Sequence, residues 1–190
     1  STNLARDVLG ITPRAGIGLS MGEVAMLFAF SDANSRKSDQ MLARLAASPV
    51  WTSQLAVKFD ALRSAWGAKK DAPVSSFWSG YLLHATRDGV RAALKSLGKK
   101  TQHVRLIIVN DAHTCIVAGR PEQCEALVAK LGCAASPIDQ GMVGHCAEVA
   151  PHAKDIRSIH DFLVRPAGPA ADGVELFLSR AATTEPLAAG

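Results

Sequence analysis

The sequence has no C-x-x-C pair, few aromatic residues and no apolar run approaching the length of a membrane span. Each shortage excludes something. The four cysteines, Cys115, Cys124, Cys133 and Cys146, have the wrong spacing for a zinc knuckle or a redox pair, and read as reduced thiols in a cytoplasmic protein. Without a long apolar run, no membrane span is expected. Aromatics make up 5% of the 190 residues, and none is interleaved with the basic pairs Arg36-Lys37, Lys69-Lys70 and Lys99-Lys100. The net charge of +4 therefore reads as solvated surface and argues against nucleic acid as a partner, leaving long-range attraction of an acidic protein as its main use. The opening stretch "STNLARDVLG" lacks the basic start, apolar centre and cleavage site of a secretory signal, so nothing points to export. What is abundant is core-forming material, since 48% of the residues are hydrophobic, enough for one large domain or a core carrying an inserted subdomain.

Residues 15 to 27, "AGIGLSMGEVAML", hold a G-x-S-x-G pattern centred on Ser20. The pentapeptide alone is equally compatible with a plain turn and with a nucleophile elbow, the sharp strand-to-helix turn that lifts a serine above the end of a sheet. The flanks decide. "NLARDVLG" has helical spacing but stops at Gly10, and Pro13 blocks continuation. "AGIGL" is then a short buried strand, and "EVAMLFAF" is an apolar helix with Glu23 in its first turn, where a carboxylate suits the helix dipole. A serine so placed sits at a helix N-terminus, with the Met21 N–H as the first donor to an oxyanion.

Farther along, Ser38 or Asp39 is the expected cap of a helix "QMLARLAAS". Leu55, Phe59, Leu62 and Trp66 recur at steps of three and four, predicting one amphipathic helix over "WTSQLAVKFDALRSAWG". After the connector "KKDAPVSS" the rhythm changes. "SGYLLHAT", "VRLIIVN", "TCIVAGR" and "AASPIDQG" read as strands, and "RDGVRAALKSLG" and "PEQCEALVAKLG" as helices. The order is β-α-β-β-α-β, that of a ferredoxin-like subdomain over residues 78–140. Residues 1–77 and 141–190 are read as the two parts of the fold it interrupts, the second containing a helix "HAKDIRSIHDFL", a linker "RPAGPAADG" and a strand "VELFLSR".

A serine hydroxyl needs a base to act as a nucleophile, most often histidine. Of the six histidines, His84, His103, His113, His152 and His160 all have adequate readings as strand-end or surface residues. His145 differs, because Gly141 and Gly144 give its backbone freedom to aim the side chain and it follows directly on the return from the inserted segment.

Three segments then carry a family resemblance. "GLSMGE" resembles the G-H-S-x-G-E elbow of malonyl-CoA:acyl-carrier-protein transacylases and of the acyltransferase domains of polyketide and fatty acid synthases. "VNDAHTCIVAG" is similar to their V-N-x-x-x-x-x-V-I-A-G segment, and "GHCAEV" to their histidine motif. Within the family, "GLSMGEVAMLFAF", "WTSQLAV" and "GMVGHCAEV" most resemble the acyltransferase of polyunsaturated fatty acid synthases. The resemblance implies an α/β-hydrolase-like core, incomplete in this chain, with the inserted ferredoxin-like subdomain. It implies Ser20 as the acylated nucleophile, His145 as base and acid, the Met21 N–H at the oxyanion, and Leu19, Arg44, Asn110 and Gly144 at the substrate. It implies no bound cofactor, acyl-CoA and a phosphopantetheine-bearing acyl carrier protein as substrates, and other synthase domains or subunits as partners.

The departures are as informative. Leu19 stands where the family has histidine, and Arg44 lies about a turn early for the arginine that holds a malonyl carboxylate, which predicts a preference for uncharged acyl groups. The family's N-terminal G-Q-G segment and its C-terminal segment have no counterpart in the chain. Three activities remain open on the sequence: acyl transfer to a carrier thiol, hydrolysis by the same Ser-His dyad as a thioesterase, and a synthase scaffold without turnover.

Overall fold

The computed structural model of the chain describes residues 4–30, 35–161, 173–178 and 183–186. After a π-helical turn at Leu4–Val8 come β1 (Ala15–Gly18), α1 (Met21–Ala29), α2 (Ser35–Ala47), a π-helical turn at Val50–Gln54 and α3 (Asp60–Trp66). There follow β2 (Ser79–Leu83), α4 (Arg87–Leu97), β3 (Val104–Val109), β4 (Cys115–Gly119), α5 (Pro121–Leu131) and β5 (Ala135–Ile138). A 3-10 segment at Ala147–His152, α6 (Ala153–His160), β6 (Glu175–Leu178) and β7 (Thr183–Pro186) complete the order. The chain divides into two compact units, Ser1–Leu45 with Arg157–Gly190, and Ala46–Ile156.

In the first unit β1 and β6 are parallel neighbours, Gly16 opposite Leu176 and Ile17 opposite Phe177, and β7 pairs antiparallel with β6. Alternation along β1 buries Gly16 and Gly18 and exposes Ala15 and Ile17, the period of two that a pleated strand imposes. Met26 of α1 packs with Val174 and Leu176, and Phe30 closes this small core.

The second unit is organised by a four-stranded antiparallel sheet of order β3-β4-β2-β5. On one face lie α4 and α5, whose Val90 and Leu127 are fully buried against Leu83, Cys115 and Val117, with Leu94 and Leu131 at the margin. The intervening positions of the strands, Ile107 and Ala118, join a second cluster of Leu55, Phe59, Leu62, Trp66, Phe77, Trp78 and Val143. The sheet is thus covered on both faces, and its buried strand positions are apolar for that reason. Thr86 caps α4 by accepting from the Gly89 N–H, and Pro121 opens α5 at the position where no N–H is needed.

The single helix expected over "WTSQLAVKFDALRSAWG" is broken. Val57 and Phe59 have left-handed φ values of 58° and 57°, and α3 begins only at Asp60. The cause is long-range: the Leu55 carbonyl accepts from the Val143 N–H at 2.7 Å, and Ala56 bridges Met142. The helical spacing of the apolar residues still reports burial, since Leu55, Phe59, Leu62 and Trp66 all enter the core. Helix α2 starts at Ser35, ahead of the expected caps Ser38 and Asp39. The alanine-rich tail carries β7, which no pattern in it announces. The linker "RPAGPAADG" lies outside the described residues as far as Asp172.

Candidate active site

Ser20 stands between the end of β1 and the first residue of α1 with φ 55° and ψ −121°, a region that side chains other than glycine's rarely occupy. Its side chain makes no cap hydrogen bond. The turn is tied by the Gly22 N–H donating to the Leu19 carbonyl at 2.8 Å and the Glu23 N–H to the Ser20 carbonyl at 2.9 Å. Strand and helix meet so closely that a Cβ on Gly18 would lie 2.5 Å from the Gly22 carbonyl carbon and 2.6 Å from the Glu23 nitrogen. A Cβ on Gly22 would meet nothing within 4 Å. Of the two glycines flanking Ser20, then, Gly18 is the one that steric crowding requires. Leu19 and Met21 on either side are exposed, at 54% and 40%. Arg44 is exposed in the last turn of α2.

In the second unit His145 is likewise left-handed, with φ 55° and an exposed side chain, directly after Gly144. Upstream, Val143 is fully buried and its N–H is bonded to the Leu55 carbonyl. Downstream, the Glu148 side chain, 7% exposed, accepts from Arg105 Nη2 at 2.6 Å and from Trp66 Nε1 at 2.8 Å through Oε1, and from Arg105 Nε at 3.3 Å through Oε2. Burial pushes the Glu148 carboxyl up, but the hydrogen bonds from Arg105, Trp66, its own backbone and the Cys146 thiol prevail and bring it down to about 2. Burial, and the neighbouring Glu148 carboxylate, push the Cys146 thiol up to about 12, so this cysteine is inert as a nucleophile. His103 stacks on Trp66 at 4.9 Å between ring centroids, and burial together with Arg120 and Arg105 lowers its pKa. It is a neutral packing residue of the same cluster.

Asn110 lies in the β3–β4 turn, exposed, its N–H bonded to the Thr114 carbonyl at 3.0 Å. That turn is closed by Asp111, which accepts from the His113 and Thr114 amides and from the Thr114 hydroxyl. Leu19, Ser20, Met21 and Arg44 therefore belong to the first unit, and Asn110, Gly144 and His145 to the second. Sequence reasoning missed Glu148, whose only signal is an acidic residue three places after His145. An open groove of about 530 Å³ in the second unit runs past Glu148, lined also by Gln54, Ser64, Pro151 and His152 and by none of the residues expected at the site. Among the described residues no group of three or more His, Cys, Asp or Glu could hold a metal ion, and no helix is long and apolar enough to cross a membrane.

No family model matches the chain. Over 164 residues it is 48% identical to a polyunsaturated fatty acid synthase subunit of Thraustochytrium sp., covering 85% of this chain and 8% of that relative. It is similar in structure to the acyltransferase domain from module 8 of the salinomycin polyketide synthase, with 19% identity, a TM-score of 0.63, and 95% of this chain and 37% of that one covered. It is also similar to a malonyl-transacylase solved in complex with a type II polyketide synthase acyl-carrier protein, at 15% identity and a TM-score of 0.65, covering 97% and 53%. FabD from Acinetobacter baumannii gives 16% identity, a TM-score of 0.65, and 97% and 52% coverage. At such identities these structures speak for the fold alone. The chain is a homologue of a short stretch of a polyunsaturated fatty acid synthase, and its fold is the mixed α/β fold of acyltransferase and malonyl-transacylase domains.

Proposed function

We propose that this chain carries the acyl-transfer chemistry of a polyunsaturated fatty acid or polyketide-type synthase. In this reading His145 takes the Ser20 Oγ proton as Oγ attacks the thioester carbonyl of an acyl-CoA or acyl carrier protein. The Met21 N–H, at the first position of α1, donates to the developing oxyanion. The tetrahedral adduct collapses to an acyl-Ser20 ester, and the departing thiolate recovers the proton from His145. A phosphopantetheine thiol of a carrier protein then gives its proton to His145, attacks the ester, and leaves as the new thioester while Ser20 is reprotonated. Every proton and bond is accounted for by Ser20, His145 and the two thiols, so no bound cofactor is invoked.

The observation that carries this reading is conformational. Ser20 of the elbow motif and His145 of the histidine motif are both held at φ 55°, a positive φ that among non-glycine residues they share with Val57 and Phe59, and backbone strain of about 1–3 kcal/mol persists only where surrounding structure enforces it. The architecture belongs to the same proposal. It is an α/β-hydrolase-like core, of which β1, β6 and α1 are part, interrupted by a ferredoxin-like subdomain over 78–140, with 1–77 and 141–190 as the flanking parts. The parallel pairing of β1 with a strand from the far end of the chain supports an interruption, and the sheet order β3-β4-β2-β5 supports the ferredoxin-like label. The partners are an acyl carrier protein and other synthase domains, and the compartment is the cytoplasm, in keeping with the free thiols of Cys115, Cys124, Cys133 and Cys146.

The test is intact mass after incubation with acyl-CoAs from acetyl and malonyl to long chains. Acyl transfer predicts a stable adduct lost in Ser20→Ala and discharged onto a holo carrier protein. Discharge to water alone would make the chain a hydrolase, and an adduct persisting in Ser20→Ala would overturn the assignment of Ser20. Leu19, Asn110 and Gly144 contribute to the substrate pocket in this reading. Exposed Arg44 gives no buried cation for a malonyl carboxylate, so uncharged acyl groups are the expected donors. Preference for malonyl that disappears in Arg44→Ala would reverse that specificity.

A further inference from the structure

The His145 turn is gripped from both sides by groups far away in sequence, and only one of these grips depends on charge. On the N-terminal side the Val143 N–H is bonded to the Leu55 carbonyl, and Met142 bridges Ala56. On the C-terminal side Glu148 ties residues 146–149 to the rest of the unit, its carboxylate joined to Arg105 on β3 and to Trp66 at the end of α3. Between these ties Gly144 and left-handed His145 span the gap. We infer that Glu148 is a positioning residue for His145: its carboxylate, clamped by Arg105 and Trp66, holds the turn in the conformation that aims the imidazole.

Several features make this more than a buried ion pair. Trp66 is itself fixed, its carbonyl accepting from Arg120 Nη2 at 2.8 Å and its ring packed against Trp78 and His103. Arg105 is held by its own bonds to the Gln102 and Val104 carbonyls and lies 5.6 Å from the Trp66 ring centre. The clamp therefore presents a rigid fork to a carboxylate rather than a mobile surface cation, the geometry in which arginine outperforms lysine. The Cys146 thiol, immediately after His145, also donates to Glu148. A strained residue is retained only while its surroundings over-determine it, and without Glu148 the turn keeps on its C-terminal side only the apolar packing of Cys146 and Val149, which does not fix its direction as the clamp does.

The inference rests on the role proposed for His145, and the experiment separates the two. Glu148→Ala is expected to slow acylation of Ser20 roughly 10- to 100-fold with KM for the acyl-CoA unchanged, the scale of a misplaced catalytic group. Glu148→Gln, which keeps the volume and an acceptor for Trp66 but not the charge, is expected to fall between, as is Arg105→Lys. In a His145→Ala background the Glu148 variants should add nothing, because the group they position is gone. An equal loss in both backgrounds would make Glu148 merely structural and overturn the inference. Should His145→Ala acylate like wild type, the proposed function of His145 fails, and the conformational claim is still decided by NMR of histidine-labelled protein. The ring signal of His145, assigned by its disappearance in His145→Ala, should shift and sharpen in Glu148→Ala and Glu148→Gln while those of His84 and His113 stay in place. An unmoved His145 signal in both variants would overturn it.

Discussion

Substituting the two glycines of the elbow separately should give opposite results. In Gly18→Ala the new methyl would sit 2.5 Å from the Gly22 carbonyl carbon and 2.6 Å from the Glu23 nitrogen, against 3.4–4 Å for ordinary contact. These are backbone atoms of the first turn of α1, so no rotamer change relieves the overlap, and the strand and helix must part by about 1 Å at Ser20. A displacement of that size at a reacting group lowers rate by about 100-fold, and overpacking of this kind costs about 1–3 kcal/mol. Gly22 is the second residue of α1 and has open space where a Cβ would go, so Gly22→Ala removes a helix-weakening glycine and should stabilise by up to about 1 kcal/mol. The assay is acylation of Ser20 followed by intact mass, alongside thermal unfolding. Equal acylation rates and equal melting temperatures for the two variants would refute the reasoning, because they would mean that β1 and α1 do not meet at Gly18 as closely as described.

Ser20→Gly should abolish the acyl adduct and at the same time raise the melting temperature, since glycine adopts φ 55° and ψ −121° without the strain of about 1–3 kcal/mol that serine bears there. Acid unfolding should show the Glu148 clamp: its carboxyl binds a proton more weakly folded than unfolded, so the stabilisation is complete above 4.5 and drains away as pH falls toward about 2, amounting to about 3 kcal/mol. Glu148→Gln should flatten that arm of the stability curve. His103, half-buried beside Arg120 and Arg105, has a lowered pKa, so the unfolded chain takes up the proton first and stability falls as pH drops through about 6.5; His103→Phe should remove this higher arm. Leu127→Ala, at a fully buried contact between α5 and the sheet, should cost about 2–5 kcal/mol in urea unfolding and leave the chemistry of Ser20 intact.

The elbow and the β-α-β-β-α-β segment were legible because their determinants are local. Gly18, Ser20, Glu23 and the apolar run behind them follow one another directly in the chain, and Pro121 and the periodic Val90, Leu94, Leu127 and Leu131 announce helices by rules that act over three or four residues. The same rules failed over residues 51–66. There the spacing of Leu55, Phe59, Leu62 and Trp66 correctly reported which side chains are buried, but a backbone hydrogen bond from Val143 and a bridge from Met142 draw Leu55 and Ala56 out of the helix. Strand β7 was equally silent, because a short polar segment becomes a strand only when an open edge such as that of β6 offers it hydrogen bonds. In the candidate site, residue types and motif spacing singled out Ser20 and His145, while the positive φ they share with Val57 and Phe59 appeared only in the fold. Glu148 shows the difference most sharply: in the sequence it is one acid among many, and its depressed pKa and its grip on the His145 turn arise mainly from Arg105 and Trp66, brought to it across the fold because burying a carboxylate demands more than its own backbone and the Cys146 thiol supply locally.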